Sequence, residues 1–308
     1  YLSLFVHMAM AFFFLAAGDP LQLSAFGVTD GGVEVNAYMT RSWHDTFASF
    51  YGTTVCLTGQ HRQSAEDPLF DILTRVRVNA ATDADIELLN STWPLNSTET
   101  YPDHLHLRAV NKDVNSYNDH QLSMLPGEVH AFVSVDKMVV KHRGRQEYAK
   151  MKLQTVARNV VSLKVGAQVV LTRSLGDSKA GTPARVEAIV VGASATCRLE
   201  GVEELVSVEP ATFDVKDAME EVLAIREQLP LLLAWAVTVS RAQGMSLARV
   251  AVDFSCTCWT LDGTVYSSLS RACGFSRLRV RGLTRAHIRC SASALRFYES
   301  LLSSRTGT

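Results

Sequence analysis

At 308 residues the chain is twice the roughly 150 of a typical domain, so its length favours two compact units over one core. With 47% apolar residues, 20% charged residues and a net charge of -1 it has the balance of a globular protein, which excludes bulk disorder. Eighteen glycines and eight prolines exclude collagen-like and low-complexity chains, and six cysteines are too few for a disulfide-stapled secreted scaffold, so a reducing, intracellular compartment is expected.

The chain opens on a run from Leu2 to Ala17 that is apolar except for Ser3 and His7. It is shorter than the roughly 20 residues that cross a bilayer. It has no basic start and runs straight into Gly18-Asp19-Pro20. It therefore reads as a buried strand over Phe12–Ala16, with no membrane partner, in a chain that starts at Tyr1 without a Met and looks truncated upstream. The sequons at Asn90-Ser91-Thr92 and Asn96-Ser97-Thr98 would matter only in a secreted protein.

Val55–Thr58 is a second short strand. Asp67-Pro68 then supplies an N-cap and an N1 proline for a helix that places Leu69, Ile72, Leu73 and Val76 on one face. Thr82 and Asp85 make a capping arrangement for a helix through Leu89. Leu105 and Leu107 alternate as a strand, and Asn111–Leu122 returns to helical spacing at Val114, Tyr117 and Asn118. Strand-helix alternation of this kind predicts a three-layer α/β domain with a parallel sheet.

Near residue 162 the texture changes. Val165, Ala167, Val169 and Leu171 alternate, a turn follows over Gly176–Gly181, Val186, Ala188 and Val190 alternate again, and short runs recur near Cys197 and Leu205. These features predict a small antiparallel barrel inserted in the α/β domain. A helix is expected between Asp214 and Gln228, broken by Pro230, and a buried helix over Leu231–Ala242 with Gly244 at C′. Val250, Val252 and Phe254 form a strand, Thr264 caps a helix whose Val265 and Leu269 share a face, and Leu278 with Val280 makes a last strand backed by Arg277, Arg279 and Arg281.

The near-zero net charge conceals local asymmetry. Lys137–Arg173 carries nine Lys or Arg against one acid, and Arg271–Arg289 carries six Arg and no acid, so both stretches are candidates to face polyanions. Asp177–Glu227 is acidic, with eleven acids against five bases.

Four short motifs punctuate these elements: Gly18-Asp19-Pro20-Leu21-Gln22-Leu23, His61-Arg62-Gln63, Thr238-Val239-Ser240-Arg241-Ala242-Gln243-Gly244-Met245-Ser246-Leu247, and Val265-Tyr266-Ser267-Ser268-Leu269-Ser270-Arg271-Ala272. In that order, with Val165–Val169 between the second and third, the chain resembles the Pif-type and RecD-type DNA helicases of superfamily one, from their third helicase motif to the C-terminus. The resemblance implies an α/β, RecA-like P-loop NTPase helicase lobe with an inserted SH3-like β-barrel. It assigns 1–40 to a remnant of the first lobe, 41–161 and 214–308 to the second lobe, and 162–213 to the barrel.

It also implies a motor that hydrolyses ATP with Mg2+, moves 5′ to 3′ on single-stranded DNA as a monomer, and serves DNA repair, recombination and telomere maintenance in the nucleus or mitochondrion of a eukaryote. ATP hydrolysis spreads negative charge over the γ-phosphoryl oxygens, which calls for fixed cations. The resemblance gives that role to Arg62 and Arg271, and gives Gln22 the γ-phosphate hydrogen bond. Gly18, Asp19 and Gly244 join Gln22, Arg62 and Arg271 in contacting the nucleotide, while Thr238, Ser240, Arg241 and Gln243 face DNA. Where the family usually has His-Lys this chain has Ser240-Arg241, which keeps a phosphate-binding charge but loses an imidazole. Ala180-Gly181-Thr182-Pro183 replaces a common Asn-Gly turn.

No Gly-x-x-x-x-Gly-Lys-Ser/Thr phosphate loop occurs in the chain, and no acidic pair precedes Gly18. ATP and Mg2+ would thus need an upstream half; alternatively the chain is a non-hydrolysing nucleic-acid-binding fragment or a decayed relative. Cys256-x-Cys258 with Cys273 and Cys290 lacks zinc-finger spacing, and His104-x-His106 is a weak pair, so no metal site is expected. An unrelated secreted or membrane protein is the third reading.

Overall fold

The computed structural model describes residues 19–23, 29–30, 33–34, 39–40, 61–217, 219–255 and 258–303. The strands expected at Phe12–Ala16 and Val55–Thr58, together with Gly18 and Cys256, lie outside them. In chain order the elements are β1 (Thr29–Asp30), β2 (Val33–Glu34), α1 (Pro68–Arg77), α2 (Asp83–Ser91), β3 (Leu105–Arg108), α3 (Asn111–Met124), β4 (His130–Val133), β5 (Val135–Met138), α4 (Arg143–Val156), β6 (Val160–Leu163) and β7 (Gln168–Leu171). There follow β8 (Pro183–Val190), β9 (Ser194–Leu199), β10 (Leu205–Val208), β11 (Ala211–Lys216), β12 (Val222–Gln228), β13 (Leu231–Leu233), β14 (Ala236–Thr238), α5 (Val239–Ala242), β15 (Val250–Asp253), α6 (Thr264–Leu269), β16 (Leu278–Arg281) and α7 (Ala292–Ser303). They divide into two compact units, one of residues 1–110 with 238–308 and one of residues 111–237.

In the first unit the starts of α1 and α2 are as the sequence predicts. Asp67 accepts from the Leu69 amide at 2.9 Å, and α1 buries Leu69, Ile72, Leu73 and Val76. The same carboxylate accepts from the Phe275 amide, so the cap also pins a turn some two hundred residues away. Thr82 and Asp85 form a full capping box, and Arg75 forks onto Asp85 at 2.8 and 2.6 Å, which holds that carboxyl far below the usual carboxylate range. Strands β3, β15 and β16 pair in parallel, Val250 lying opposite both Leu105 and Leu278, with Leu107, Val252, Leu278 and Val280 buried. The α/β class and parallel sheet are thus as expected.

At α6 the cap differs from expectation. Gly263, at φ +71°, is the N-cap, and Thr264 donates its hydroxyl to Leu261 O at 2.7 Å. A Cβ at Gly263 would lie 2.8 Å from the Gln22 backbone, so close approach and left-handed geometry both demand glycine.

The second unit contains two departures from the sequence reading. The helix expected between Asp214 and Gln228 is the hairpin β11–β12, paired from Ala211 opposite Gln228 to Lys216 opposite Val222. Its interior alternates with period two, Phe213 and Val215 buried between exposed neighbours, and Asp217 makes the turn by accepting from the Met219 and Glu221 amides. The buried helix expected over Leu231–Ala242 is two short strands and a single helical turn. Here Asn118 replaces a helical ladder: its amide donates to Leu233 O and Ala236 O, and its carbonyl accepts from the Ala236 amide. The one helical turn ends as expected, with Gly244 at φ +80°.

A five-stranded antiparallel sheet, in the order β10-β9-β8-β7-β13, fills the region expected to be barrel. Its first strand begins at Gln168 and not at Val165, because Gly166 turns left-handed and Val165 is exposed. A register shift between Val186 and Ala188 leaves Ala188 and Val190 outward. Elsewhere in this unit α4 packs on β11 and β12, burying Ala149, Leu153, Val215 and Leu223. No helix among the described residues is long and apolar enough to cross a membrane.

Candidate functional site

The three motif segments that flank α6 meet in the first unit. Gln22 sits in a turn anchored by Leu21, which is buried. Leu23 is held at both backbone ends: its amide donates to Ser267 Oγ at 2.7 Å and its carbonyl accepts from Gln243 Nε2 at 3.0 Å. Three stretches that carry no mutual signal in the sequence, around residues 22, 243 and 267, are thereby fixed to one another.

Arg62 and Arg271 converge on one residue. Arg62 donates to Ser270 O at 3.0 Å and to Ser246 Oγ at 2.9 Å. Arg271 donates to Ser270 Oγ at 2.9 Å, to Ser267 O at 3.0 Å and to Met245 O at 3.3 Å. Every one of these acceptors is a neutral oxygen. Burial, and after it the Arg62 charge, draws the Arg271 guanidinium below its ordinary value, yet a guanidinium stays protonated in proteins. Two cations thus lie together with no carboxylate in hydrogen-bond reach among the described residues, an arrangement that costs free energy unless an anion arrives.

Beside them opens a cleft of about 330 Å³ lined by Gln22, Arg62, Phe70, Thr74, Arg77 and Tyr266, among others. Arg271 does not line it; it stands behind Ser270, 2% exposed. Asp19 acts within the protein: its carboxylate accepts from the Leu21 amide, Gln22 Nε2, Arg77 Nη2 at 2.8 Å and the Tyr266 hydroxyl at 3.1 Å. Burial, with the Asp19 charge, pushes the Tyr266 hydroxyl up to about 12, so it stays a donor at neutral pH.

Sequence reasoning missed Arg77, whose guanidinium lies 4.5 Å from the Tyr298 ring centre and pairs with Asp19. The available signal was the stripe Phe70, Thr74, Arg77 at i, i+4 and i+7, alongside the buried face of α1. Of the residues expected to face DNA, Thr238 caps α5 by accepting from the Arg241 amide, and Ser240 and Arg241 are exposed on that turn. Gln243 is spent on Leu23, and Gly244 leads into the Met245–Ser246 segment that both arginines grip.

The two basic stretches differ. In the first, Lys137, Lys141, Lys150, Lys152 and Arg158 are exposed, while Arg145 pairs with Asp217 and Glu221 and Lys164 is buried against Leu125 O. In the second, Arg271 is buried and Arg281 pairs with Asp253 at 2.7 Å and Arg285 with Asp83 at 2.8 Å, while Arg277 and Arg289 are exposed. His104 and His106 are buried next to Tyr101 and Trp93, and no group of three His, Cys, Asp or Glu among the described residues is placed to hold a metal ion.

No family model matches the chain. It is 29% identical over 299 residues to the ATP-dependent DNA helicase PIF1 of Rattus norvegicus, an alignment that covers 94% of this chain and 44% of that protein. Among solved structures it is similar to the Pif1 helicase from Candida albicans, with TM-score 0.77, 25% identity, and coverage of 92% of this chain and 67% of the other. Another similar structure is Pif1 from Bacteroides in complex with ADP-AlF3 and single-stranded DNA, with TM-score 0.67, 20% identity, and coverage of 93% and 66%. The chain spans less than half the length of the curated relatives it matches. Its fold is that of the RecA-like helicases, and its similarity to Pif1 helicases extends over nearly its whole length.

Proposed function

We propose that this chain, similar almost throughout to the Pif1-type helicases, is the C-terminal portion of an ATP-dependent 5′–3′ DNA helicase, and that its cleft meets the phosphates of ATP bound mainly by an upstream lobe. The observation that carries this reading is the pair of guanidiniums that share Ser270 with no carboxylate bonded to either among the described residues. Such cations suit the charge that develops on the γ-phosphoryl oxygens, and their forks suit bidentate contact. ATP supplies the bond that is cleaved; the residues of this chain hold charge and position. Gln22, kept in place by Asp19 and by the Leu23 clasp, is set to report whether a γ-phosphate is present. Arg77, clamped by Asp19 and Tyr298, lines the same cleft. Asp19, whose carboxylate accepts from Gln22, Arg77 and Tyr266, is engaged inside the protein, so the Mg2+ ligands are assigned to the upstream lobe.

In this reading residues 1–40 complete the first lobe, 41–161 and 214–308 form the second, and the antiparallel sheet built around β7–β10 is an SH3-like accessory domain near the DNA path. The partner is single-stranded DNA, as in the Bacteroides Pif1 complex.

Two results test the reading. Because the chain has no phosphate loop, the purified 308-residue chain should show no appreciable ATPase; turnover stimulated by single-stranded DNA and lost in Gln22→Ala would overturn the need for an upstream lobe. Binding to labelled single-stranded oligonucleotides should be weak, tolerant of sequence and steeply weakened by salt, since phosphate contacts release counterions. Arg241 and the exposed lysines from Lys137 to Lys152 should carry the slope; a titration flat between low and moderate salt would leave them as solvated faces.

A further inference from the structure

The first unit holds a second cleft, of about 340 Å³, lined by His104, Arg249, Ser276, Arg277 and Arg279. Its position follows from the sheet: His104 immediately precedes β3, Arg249 precedes β15 and Arg277 precedes β16, so three neighbouring parallel strands deliver these side chains to one edge. Arg249 and Arg277 are exposed. Arg279 is oriented by donating to Ser276 O and Leu278 O and by lying 5.2 Å from the Tyr101 ring centre.

The opposing charge is small. Asp103 meets Arg249 only at 3.6 Å, and its side chain is 77% exposed. His104 is 8% exposed, and neither of its ring nitrogens finds a hydrogen-bond partner among the described residues. A buried imidazole without partners normally costs free energy, so its place in a cationic cleft points to a ligand that satisfies it.

We propose that this cleft is a phosphate-binding site, taking a phosphate group, of a free phosphoanion or of a nucleic-acid strand, between Arg249, Arg277 and Arg279 with His104 donating to one of its oxygens. Among the described residues three guanidiniums face one carboxylate, an excess that a phosphomonoester of about -1.5 to -2, or two adjacent phosphodiesters of a strand, neutralises. Guanidinium forks match its oxygens. Burial, followed by the Arg279 and Arg249 charges, holds His104 below its ordinary value, and a bound anion reverses the last of these effects. The site is separate from the Arg62 cleft and does not rest on the reading of that cleft.

The test follows the His104 ring signals by NMR in the histidine-labelled 308-residue chain at fixed ionic strength. Sodium pyrophosphate should shift them saturably and raise the pKa of His104. Arg249→Gln and Arg277→Gln, both at exposed positions, should each weaken the effect about tenfold, as expected for a lost charge-assisted bond. Arg62→Gln should leave it unchanged. Short oligonucleotides with and without a 5′-phosphate then identify the source: a shift with both assigns internal phosphodiesters, a shift only with the phosphorylated strand assigns strand ends, and a shift with pyrophosphate alone assigns a free phosphoanion. No saturable His104 shift with any probe, or a shift untouched by both arginine substitutions, would overturn the proposal.

Discussion

Arg62→Ala, in this chain joined to a first lobe that carries a phosphate loop, should lower ATP turnover on the order of a thousandfold, by analogy with arginines that act across a cleft on the transition state. Nucleotide affinity should change little, because the guanidinium is needed most where charge develops. Arg62→Lys should rescue only in part, since an ammonium is a point charge and loses the fork that spans Ser246 Oγ and Ser270 O. Arg271→Ala should lose turnover as well, yet the two variants should separate on a melting curve. Arg62 is partly exposed, whereas Arg271 is 2% exposed and its removal leaves Met245 O without its donor and Ser267 O with the Ser270 hydroxyl in place of two donors. That should add about 1–3 kcal/mol of destabilisation. Leu269→Ala, at 0% exposure on α6, is the packing control: it should cost roughly 2–5 kcal/mol in stability. If both arginine variants turn over ATP normally while folded, the two cations serve the fold alone and the assignment of the cleft fails.

The parts of the fold that were legible in the sequence are those whose signals are local. Asp67-Pro68 and Thr82 with Asp85 set α1 and α2 because a cap needs only residues two or three places away. The alternation of Val250 and Val252, and of Leu278 and Val280, gave β15 and β16. What failed depended on distant partners. Leu231–Ala242 has helical composition, but β7 claims Leu231–Leu233 and Asn118 claims the Ala236 backbone. Likewise the run from Arg271 to Arg289 reads as one uniform basic face, whereas Asp253 and Asp83 take up Arg281 and Arg285 and leave Arg277 and Arg279 to line a cleft. The candidate site was legible as motifs in order and not as geometry: nothing local shows that Gln243 holds Leu23, that Arg271 sits behind Ser270, or that Arg77 joins Asp19.

A stability effect of similar size should come from the second unit, at a pair no motif announces. Arg226, on β12, is 1% exposed and forks onto Asp136 of β5 at 2.7 and 2.6 Å; its third nitrogen donates to Leu153 O at 3.1 Å and Ala157 O at 2.7 Å, the last carbonyls of α4. One guanidinium therefore ties two strands to a helix end, satisfying the C-cap carbonyl of Ala157 and sharing Leu153 O with the Ala157 amide. Asp136→Ala strands that charge, so unfolding by urea at neutral pH should show a loss of about 3 kcal/mol, the lower end for a broken buried pair because Asp136 keeps 33% of its side chain exposed. Glu221→Ala, at the more exposed Arg145 pair, should cost under about 1 kcal/mol. The hydrogen bonds from Arg226 hold the Asp136 carboxyl below its ordinary value. Its contribution is accordingly complete above the unfolded value of about 3.9 and fades as pH falls through the lower folded value, so the wild-type chain should lose more stability on acidification than Asp136→Asn does. A double replacement, Arg226→Met with Asp136→Leu, should recover only part of the loss: the charge is gone, but the Ala157 carbonyl still lacks its guanidinium donor. Full recovery in the double variant would show that capping α4 contributes nothing, and a cost for Asp136→Ala within about 1 kcal/mol would show that water reaches Arg226.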